Sequence, residues 1–411
     1  MKENYLWVIG GGVLQVPLIN EAKKIGLKVI ATDGSSDCAC SQYADIFSPI
    51  DIFDIEKHIE FSNDLIKKGI SINGVLAAGI DAPETMARLA EHIGLPGVSS
   101  EIAHLVNHKE LFRKKMKELK IPVPSFHVMS LDNLVNLEKI LDEIGYPLIV
   151  KNTSSSGSRG TKIFYEPDIE SIEETILEAI SVSRSSKALI ESLWTGSEHT
   201  VETIFDVDGV FHKCFITDRN FEKSDGFALE TGLVHPSRLS TISQEEMYAL
   251  AEHVAKAIGI RHGAAKFDMI MTDNGPRIIE MTVRLSGGFD CQYLVPLATG
   301  KNILKAAIMT SLGRPFDKSI LYDSKKRVCL SESLWPSPGK ILEIEGIKKI
   351  ESLKGFEFIY FRYNVGDYVQ PYTDCTKRVC FIIASGINYE DALNNMNAIK
   401  KEIIIKIEKA N

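Results

Sequence analysis

No apolar run in this chain of 411 residues approaches the ~20 residues that would span a bilayer. The N-terminal MKENYLWVIGGG passes straight into a strand-like segment, without the charged and apolar regions of a secretion signal, so a cytoplasmic protein is expected. Cysteine is sparse. Cys38, Cys40, Cys214, Cys291, Cys329, Cys375 and Cys380 are odd in number and lack paired CxxC spacing, which argues against a disulfide framework and a zinc ribbon. Neither sign of charge forms a block. The 47 Lys and Arg against 55 Asp and Glu leave a formal charge of -8, a mild acidic bias that disfavours nucleic acid and acidic membranes as partners. Low-complexity tracts and fixed-period repeats are also missing. The hydrophobic content of 44% and charged content of 25% are those of a folded chain long enough for two or three units.

Apolar periodicity divides the chain. Leu6 to Ile9, the glycine turn Gly10 to Gly12, the helical Val13 to Ile25 and the strand-like Lys28 to Thr32 alternate as βαβ, and the apolar run Gly74 to Gly79 leads into a helix over Pro83 to Ile93. Residues 1–97 are therefore expected to form an α/β unit with a parallel sheet. A helix over Asn107 to Leu119 follows, stopped by IPVP. Strand signals over 147–151, 162–165, 188–191, 199–205, 210–216, 265–272 and 277–283, with helices over 171–183 and 243–258, predict α+β architecture for 98–315, with a small lobe over about 120–195 and a larger one over about 196–315. Short strands and a closing amphipathic helix over Tyr389 to Ile407 predict a smaller, β-rich unit over 316–411.

Candidate chemistry is spread along this frame. Gly10 to Gly12, with Asp33 ending the second strand, begin a dinucleotide fingerprint, but its third glycine would fall on Gln15. A tight βα turn, near a substrate carboxylate held by helix amides, is the plainer reading. The segment Lys266 to Arg284 reads as two strands joined at Asp273-Asn274-Gly275. A loop of those three residues sets Asp268 directly opposite Glu280. Facing acids destabilise a sheet at a separation of ~4.5–5.5 Å, and a divalent cation, Mg2+ or Mn2+, would account for them. A turn of Asn274 and Gly275 alone would break that pairing. Thr282 and Arg284 share the face of Glu280, and Gly287-Gly288 follow as a turn that lets backbone approach a ligand.

Upstream, Lys151 ends an apolar run and precedes a loop of small, donor-rich residues, 154–160, including Ser156, Gly157 and Gly160. No GxxxxGK[ST] motif is present, yet such a loop suits phosphate. In ALIESLWTGSE, edge-strand amides near Glu191 and Leu193 can read adenine, and Glu198 can accept from ribose hydroxyls. Each of these residues taken singly is more often a surface feature.

In order and spacing, Lys109 in NHKELFRKKM, Lys151 before its loop, Glu191 and Glu198, then Asp268, Glu280 and Arg284 resemble the ATP-grasp superfamily, in the carboxylate-amine ligase branch near L-amino-acid ligases, carbamoyl phosphate synthetase and biotin carboxylase. The resemblance implies a Rossmann-like preATP-grasp domain, a two-lobed ATP-grasp fold, a small C-terminal domain and a homodimer. Carried over, Lys109 and Lys151 contact ATP phosphates beneath the 154–160 loop, Glu191 and Leu193 mark the adenine hinge, and Glu198 meets ribose. Asp268 and Glu280 hold Mg2+, and Arg284 stabilises an acyl phosphate formed from a small carboxylate and attacked by an amine. Thr282 stands where many relatives carry Asn. His235 and Ser237 in TGLVHPSRL lie where related ligases line the acceptor pocket, and Arg284, Gly287 and Gly288 would border the same substrate. A lone histidine before proline is nevertheless more often structural. Rival readings are bicarbonate activation for carboxylation or carbamoylation, a regulator that binds without turnover, and a Rossmann oxidoreductase.

Overall fold

The computed structural model describes residues 3–154, 157–224 and 226–408. Its first sheet is parallel: β1 (Asn4–Ile9), β2 (Lys28–Thr32), β3 (Ile46–Ser48) and β4 (Ser71–Ala77) run in the order β3-β2-β1-β4. Strand alternation sends successive side chains to opposite faces, and both faces are covered. Leu6 and Val8 pack with Leu18, Ile19 and Ile308, while Trp7 and Ile9 pack with Leu65, Met86 and Leu89.

The glycine turn after β1 is occupied by its own chain. The Gly11 amide donates to Asp33 Oδ2 at 2.8 Å, and a Cβ at Gly11 would sit 2.3 Å from Cys38 Sγ. Asp33 therefore braces the turn, and the Gln15 side-chain amide donates to the carbonyl of Ala78. These contacts oppose a dinucleotide reading.

The second sheet is antiparallel. It comprises β5 (Phe126–Met129), β6 (Leu148–Asn152), β7 (Lys162–Phe164) and β8 (Ala188–Ser192), ordered β5-β8-β6-β7, with the helix Ile169–Val182 packing Ile172 and Ile176 onto Leu148, Val150 and Ile190. The larger sheet begins with β9 (Ser197–Phe205), β10 (Phe211–Ser224), β11 (Phe227–His235), β12 (Gly263–Thr272) and β13 (Gly275–Thr282), backed by the helix Thr241–Ala257. C-terminal residues add β14 (Val328–Glu332), β15 (Gly339–Glu345), β16 (Phe356–Phe361), β17 (Tyr368–Val369), β18 (Cys380–Gly386) and β19 (Ile404–Glu408).

Strands β14, β18 and β16 continue the larger sheet, in the order β13-β12-β9-β10-β11-β14-β18-β16, so residues near the C-terminus reach the same surface as the β12–β13 hairpin. The expected last helix is shorter than its apolar pattern suggests. It spans Tyr389–Glu402, and Ile404–Glu408 pairs with β15 as a strand. The β-branched cluster Ile403, Ile404, Ile405 and Ile407 favours extended backbone over the helix that the preceding periodicity predicts. No helix among the described residues is long and apolar enough to cross a membrane. All seven cysteines are free.

Candidate active site

A cleft of about 360 Å³ lies between the β5–β8 sheet and the larger sheet, with the β12–β13 hairpin along one wall. The spacing alone predicts that Asp268 faces Glu280 through a loop of Asp273, Asn274 and Gly275. The structure reaches that pairing by another route. Thr272 faces Gly275, leaving Asp273 and Asn274 at the tip, and the register runs through Ile270↔Arg277 to Met269↔Ile278. Continued unbroken, it would oppose Asp268 to Ile279 and turn Glu280 away. A β-bulge at Ile279 absorbs the difference, and Asp268 pairs with Glu280.

Arg113 holds that bulge in place. Its guanidinium donates to the carbonyls of Ile279 at 2.6 Å and Ile278 at 3.4 Å, and pairs with the buried Glu191. Cations also surround the facing acids. Asp268 Oδ1 lies 2.5 Å from Lys266 Nζ and 3.1 Å from the Arg219 guanidinium, while Glu280 Oε2 lies 3.4 Å from Lys109 Nζ. Burial alone would raise the Glu280 carboxyl, but Lys109 and Lys266 hold it well below the usual carboxylate range. The facing pair supplies only oxygen donors, one buried and one open to the cleft, and this set fits a hard divalent cation such as Mg2+.

The smaller sheet forms the opposite wall. Lys151, on β6, reaches Glu191 Oε2 at 2.9 Å. Burial would raise Glu191, yet Arg113 and Lys151 hold its carboxyl down at about 2, so its side chain braces the wall, with Glu191, Ser192 and Leu193 all bordering the cleft. Its strand is no edge: β8 lies between β5 and β6, and the Leu193 amide is spent on the Pro147 carbonyl at 2.9 Å. Backbone reading of adenine is left to groups other than that amide. Glu198 opens β9 beside the cleft, with its carboxyl raised by burial.

Of the loop over 154–160, Ser156 lies outside the described residues. Gly157 borders the cleft, and its carbonyl accepts from the Cys375 amide at 3.1 Å; Gly160 packs against Ala179. Arg159 pairs with Asp81 at 2.7 Å, tying the loop to the end of the parallel sheet.

Arg284 leaves β13 and donates to the Ile80 carbonyl at 2.9 Å, placing its side chain where the carboxyl end of β4 meets the hairpin. Backbones touch there. A Cβ on Gly79, at φ 63°, would stand 2.9 Å from Gly287 Cα. Gly287 and Gly288 both border the cleft.

His235 and Ser237 do not line the cleft, which corrects their expected substrate role. His235 ends β11, is 4% exposed and bonds the Ile216 carbonyl through Nδ1 at 3.0 Å; burial pushes its imidazole down to about 4. Ser237 donates to Asp218 Oδ1 at 2.5 Å, in a cluster with His199 and Arg238. Both serve packing and turn formation.

Several residues of the cleft escape a reading by motif. Lys266 shares the face of Asp268 by strand alternation and Arg113 follows Lys109 by one helical turn, so both carried a detectable signal. Arg219, Glu230 and Arg378 did not. They form a buried chain, with Arg219 at 2.8 Å and Arg378 at 3.1 Å from Glu230, built from β10, β11 and the segment before β18.

The ATP-grasp domain family matches residues 144–292, and the L-amino acid ligase C-terminal domain 2 family matches 334–408. Carnosine synthase 1 of Homo sapiens is 22% identical over 76% of this chain, which spans only 40% of that relative's length. The structure of L-amino acid ligase from Bacillus licheniformis superposes with a TM-score of 0.83 at 20% identity, covering 100% of both chains. The biotin carboxylase domain of 2-oxoglutarate carboxylase from Hydrogenobacter thermophilus, a dimer in complex with MgADP and bicarbonate, gives 0.74 at 19% identity over 100% of this chain and 92% of that one. These likenesses establish the fold.

Proposed function

We propose that this chain, which carries an ATP-grasp domain and an L-amino acid ligase C-terminal domain 2, is an ATP-dependent carboxylate-amine ligase. It would form an amide or peptide bond through an acyl phosphate and release ADP and phosphate. The observation that carries this reading is the Asp268–Glu280 pair, set opposite Lys151 in one cleft and flanked by Lys109, Lys266 and Arg219. Few roles other than polyphosphate binding need acids and cations so interleaved.

Asp268 and Glu280 would hold Mg2+, which supplies charge neutralisation at the phosphate oxygens. Lys109 and Lys151 would bind the phosphates from two sides, and the loop at Gly157 would exclude water from them. A carboxylate oxygen of the acid substrate attacks the γ-phosphorus, and the bond to the β-phosphate oxygen breaks. Arg284, fixed by the Ile80 carbonyl, neutralises charge on the acyl phosphate. The amine nitrogen then attacks the acyl carbon, phosphate leaves, and the amine proton passes to phosphate or solvent. Partners would be a small carboxylic acid, an amine and a second copy of the chain.

Phosphate release from Mg-ATP across amino-acid pairs, small carboxylates and bicarbonate tests this reading. Amine-dependent release together with a ligated mass supports it. Release with bicarbonate alone overturns it in favour of a carboxylating or carbamoylating enzyme.

A further inference from the structure

A second group of potential ligands converges at the root of Lys109. Glu84 stands in the first turn of the helix Pro83–Ile93, His104 in the helix Ser100–Asn107, and His108 at the start of the helix Lys109–Glu118. Glu84 Oε2 lies 2.8 Å from His104 Nδ1, and Glu84 Oε1 lies 3.4 Å from His108 Nε2. All three ligand atoms fall within 4.8 Å of one another. A tetrahedral zinc ion with bonds of ~2.0–2.1 Å requires ligand separations of about 3.4 Å, so small side-chain rotations suffice to receive one.

The surroundings suit such an ion. Glu84 lies beside His108 Nε2, while the buried Glu110, which Lys187 Nζ also approaches at 3.9 Å, stands 3.9 Å from Nδ1 on the other side of the ring. With an ion on Nε2 the ring proton sits on Nδ1, facing Glu110, as the outer carboxylate commonly does for a metal-bound histidine. Asn107 Nδ2 donates to Glu84 Oε1 at 2.8 Å and orients the carboxylate, leaving Oε2 turned toward His104. With its side chain 52% exposed, His104 gives access from solvent and leaves the fourth position to water.

We propose that Glu84, His104 and His108 form a cation site, distinct from the Asp268–Glu280 pair, that takes a divalent ion of the zinc class. Two imidazoles and one carboxylate favour Zn2+, Co2+ or Ni2+ over Mg2+. The ion would join three helices at the residue preceding Lys109, whose amide donates to the Thr153 carbonyl at 2.9 Å and whose ammonium lies 3.4 Å from Glu280. It thereby fixes the base from which Lys109 enters the cleft.

The test is Co2+ and Zn2+ binding to the full chain with Mg2+ in excess, read by the cobalt d–d absorption, by stoichiometry and by unfolding temperature. One ion per chain is expected, with at least tenfold weaker binding and no thermal shift in His104→Ala and in Glu84→Gln. His104 is exposed enough that its replacement should fold, and His104→Gln serves as a second check. Absence of the cobalt band, or equal binding by the wild type and both variants, overturns the proposal. So does an ion that survives His104→Ala and is lost in Glu280→Gln. None of these outcomes depends on ligase activity.

Discussion

Replacing Arg113 with Met keeps the apolar bulk of the side chain and removes the charge that bridges Glu191 to the bulge at Ile279. Glu191 is fully buried, and burial opposes its ionisation; Arg113, then Lys151, overcome that and hold the carboxyl at about 2 instead of 4.5. The difference corresponds to about 3 kcal/mol of stability at neutral pH. Because the folded value is depressed, this stability is present above about 4.5 and is lost as pH falls toward 2. Lys151 stays at 2.9 Å and retains part of it, but the Ile279 carbonyl loses its donor, at a cost of about 1–3 kcal/mol. Together the change should cost about 3–5 kcal/mol, the usual range for one partner removed from a buried pair. Urea unfolding of the wild type, Arg113→Met, Glu191→Gln and the double variant measures it. Adding Glu191→Gln to Arg113→Met should recover at least 1 kcal/mol. A penalty below about 1 kcal/mol, or strictly additive single changes, would refute the bracing role.

Glu202 is wholly buried, accepts the Ser286 amide at 2.9 Å and is pushed up to about 7 by burial, so its stabilising neutral form is intact below about 4.5 and lost as pH rises through 7. Glu202→Gln should therefore gain roughly 3 kcal/mol on the wild type between pH 4.5 and 8, and parallel unfolding curves would count against it. Gly79→Ala drives a methyl into Gly287, and should cost about 1–3 kcal/mol and at least tenfold in turnover by displacing Arg284; normal activity would show that the junction yields. His235→Asn should cost about 1–2 kcal/mol in stability and leave KM for both substrates within about threefold, since the ring bonds the Ile216 carbonyl away from the cleft. Glu280→Gln should abolish turnover while the chain still folds, with some loss of midpoint because Lys109 and Lys266 stabilise the carboxylate, and an active variant removes Glu280 from the mechanism.

Much of the site was legible because its chemistry lies in local pairs. Asp268 and Glu280 flank a turn, and Lys151 sits where a strand runs into a loop, so periodicity and turn chemistry locate them. The bulge at Ile279 was not legible: its anchor, Arg113, is distant in sequence and its effect is a register shift, which alternation cannot reveal. The segment Phe227–His235 gives no strand signal, because its pattern is interrupted by Thr231 and Gly232. It is β11, joining β10 to β14 within the larger sheet. That long-range pairing is what brings Arg378 to Glu230 and the C-terminal segment to the cleft. Glu191 illustrates a different limit. An acid at the end of an apolar strand can face a ligand or a buried guanidinium, and only the arrival of Arg113 from a helix distant in sequence decides.

The central claim is that a carboxylate oxygen attacks phosphorus in this cleft. With the acid and amine pair that releases most phosphate from Mg-ATP, the acid labelled with 18O in both carboxyl oxygens, mass spectrometry of the products measures it directly. The account predicts one labelled oxygen in each phosphate released and one retained in the amide. Unlabelled phosphate, formed at a normal rate alongside the amide, would contradict it.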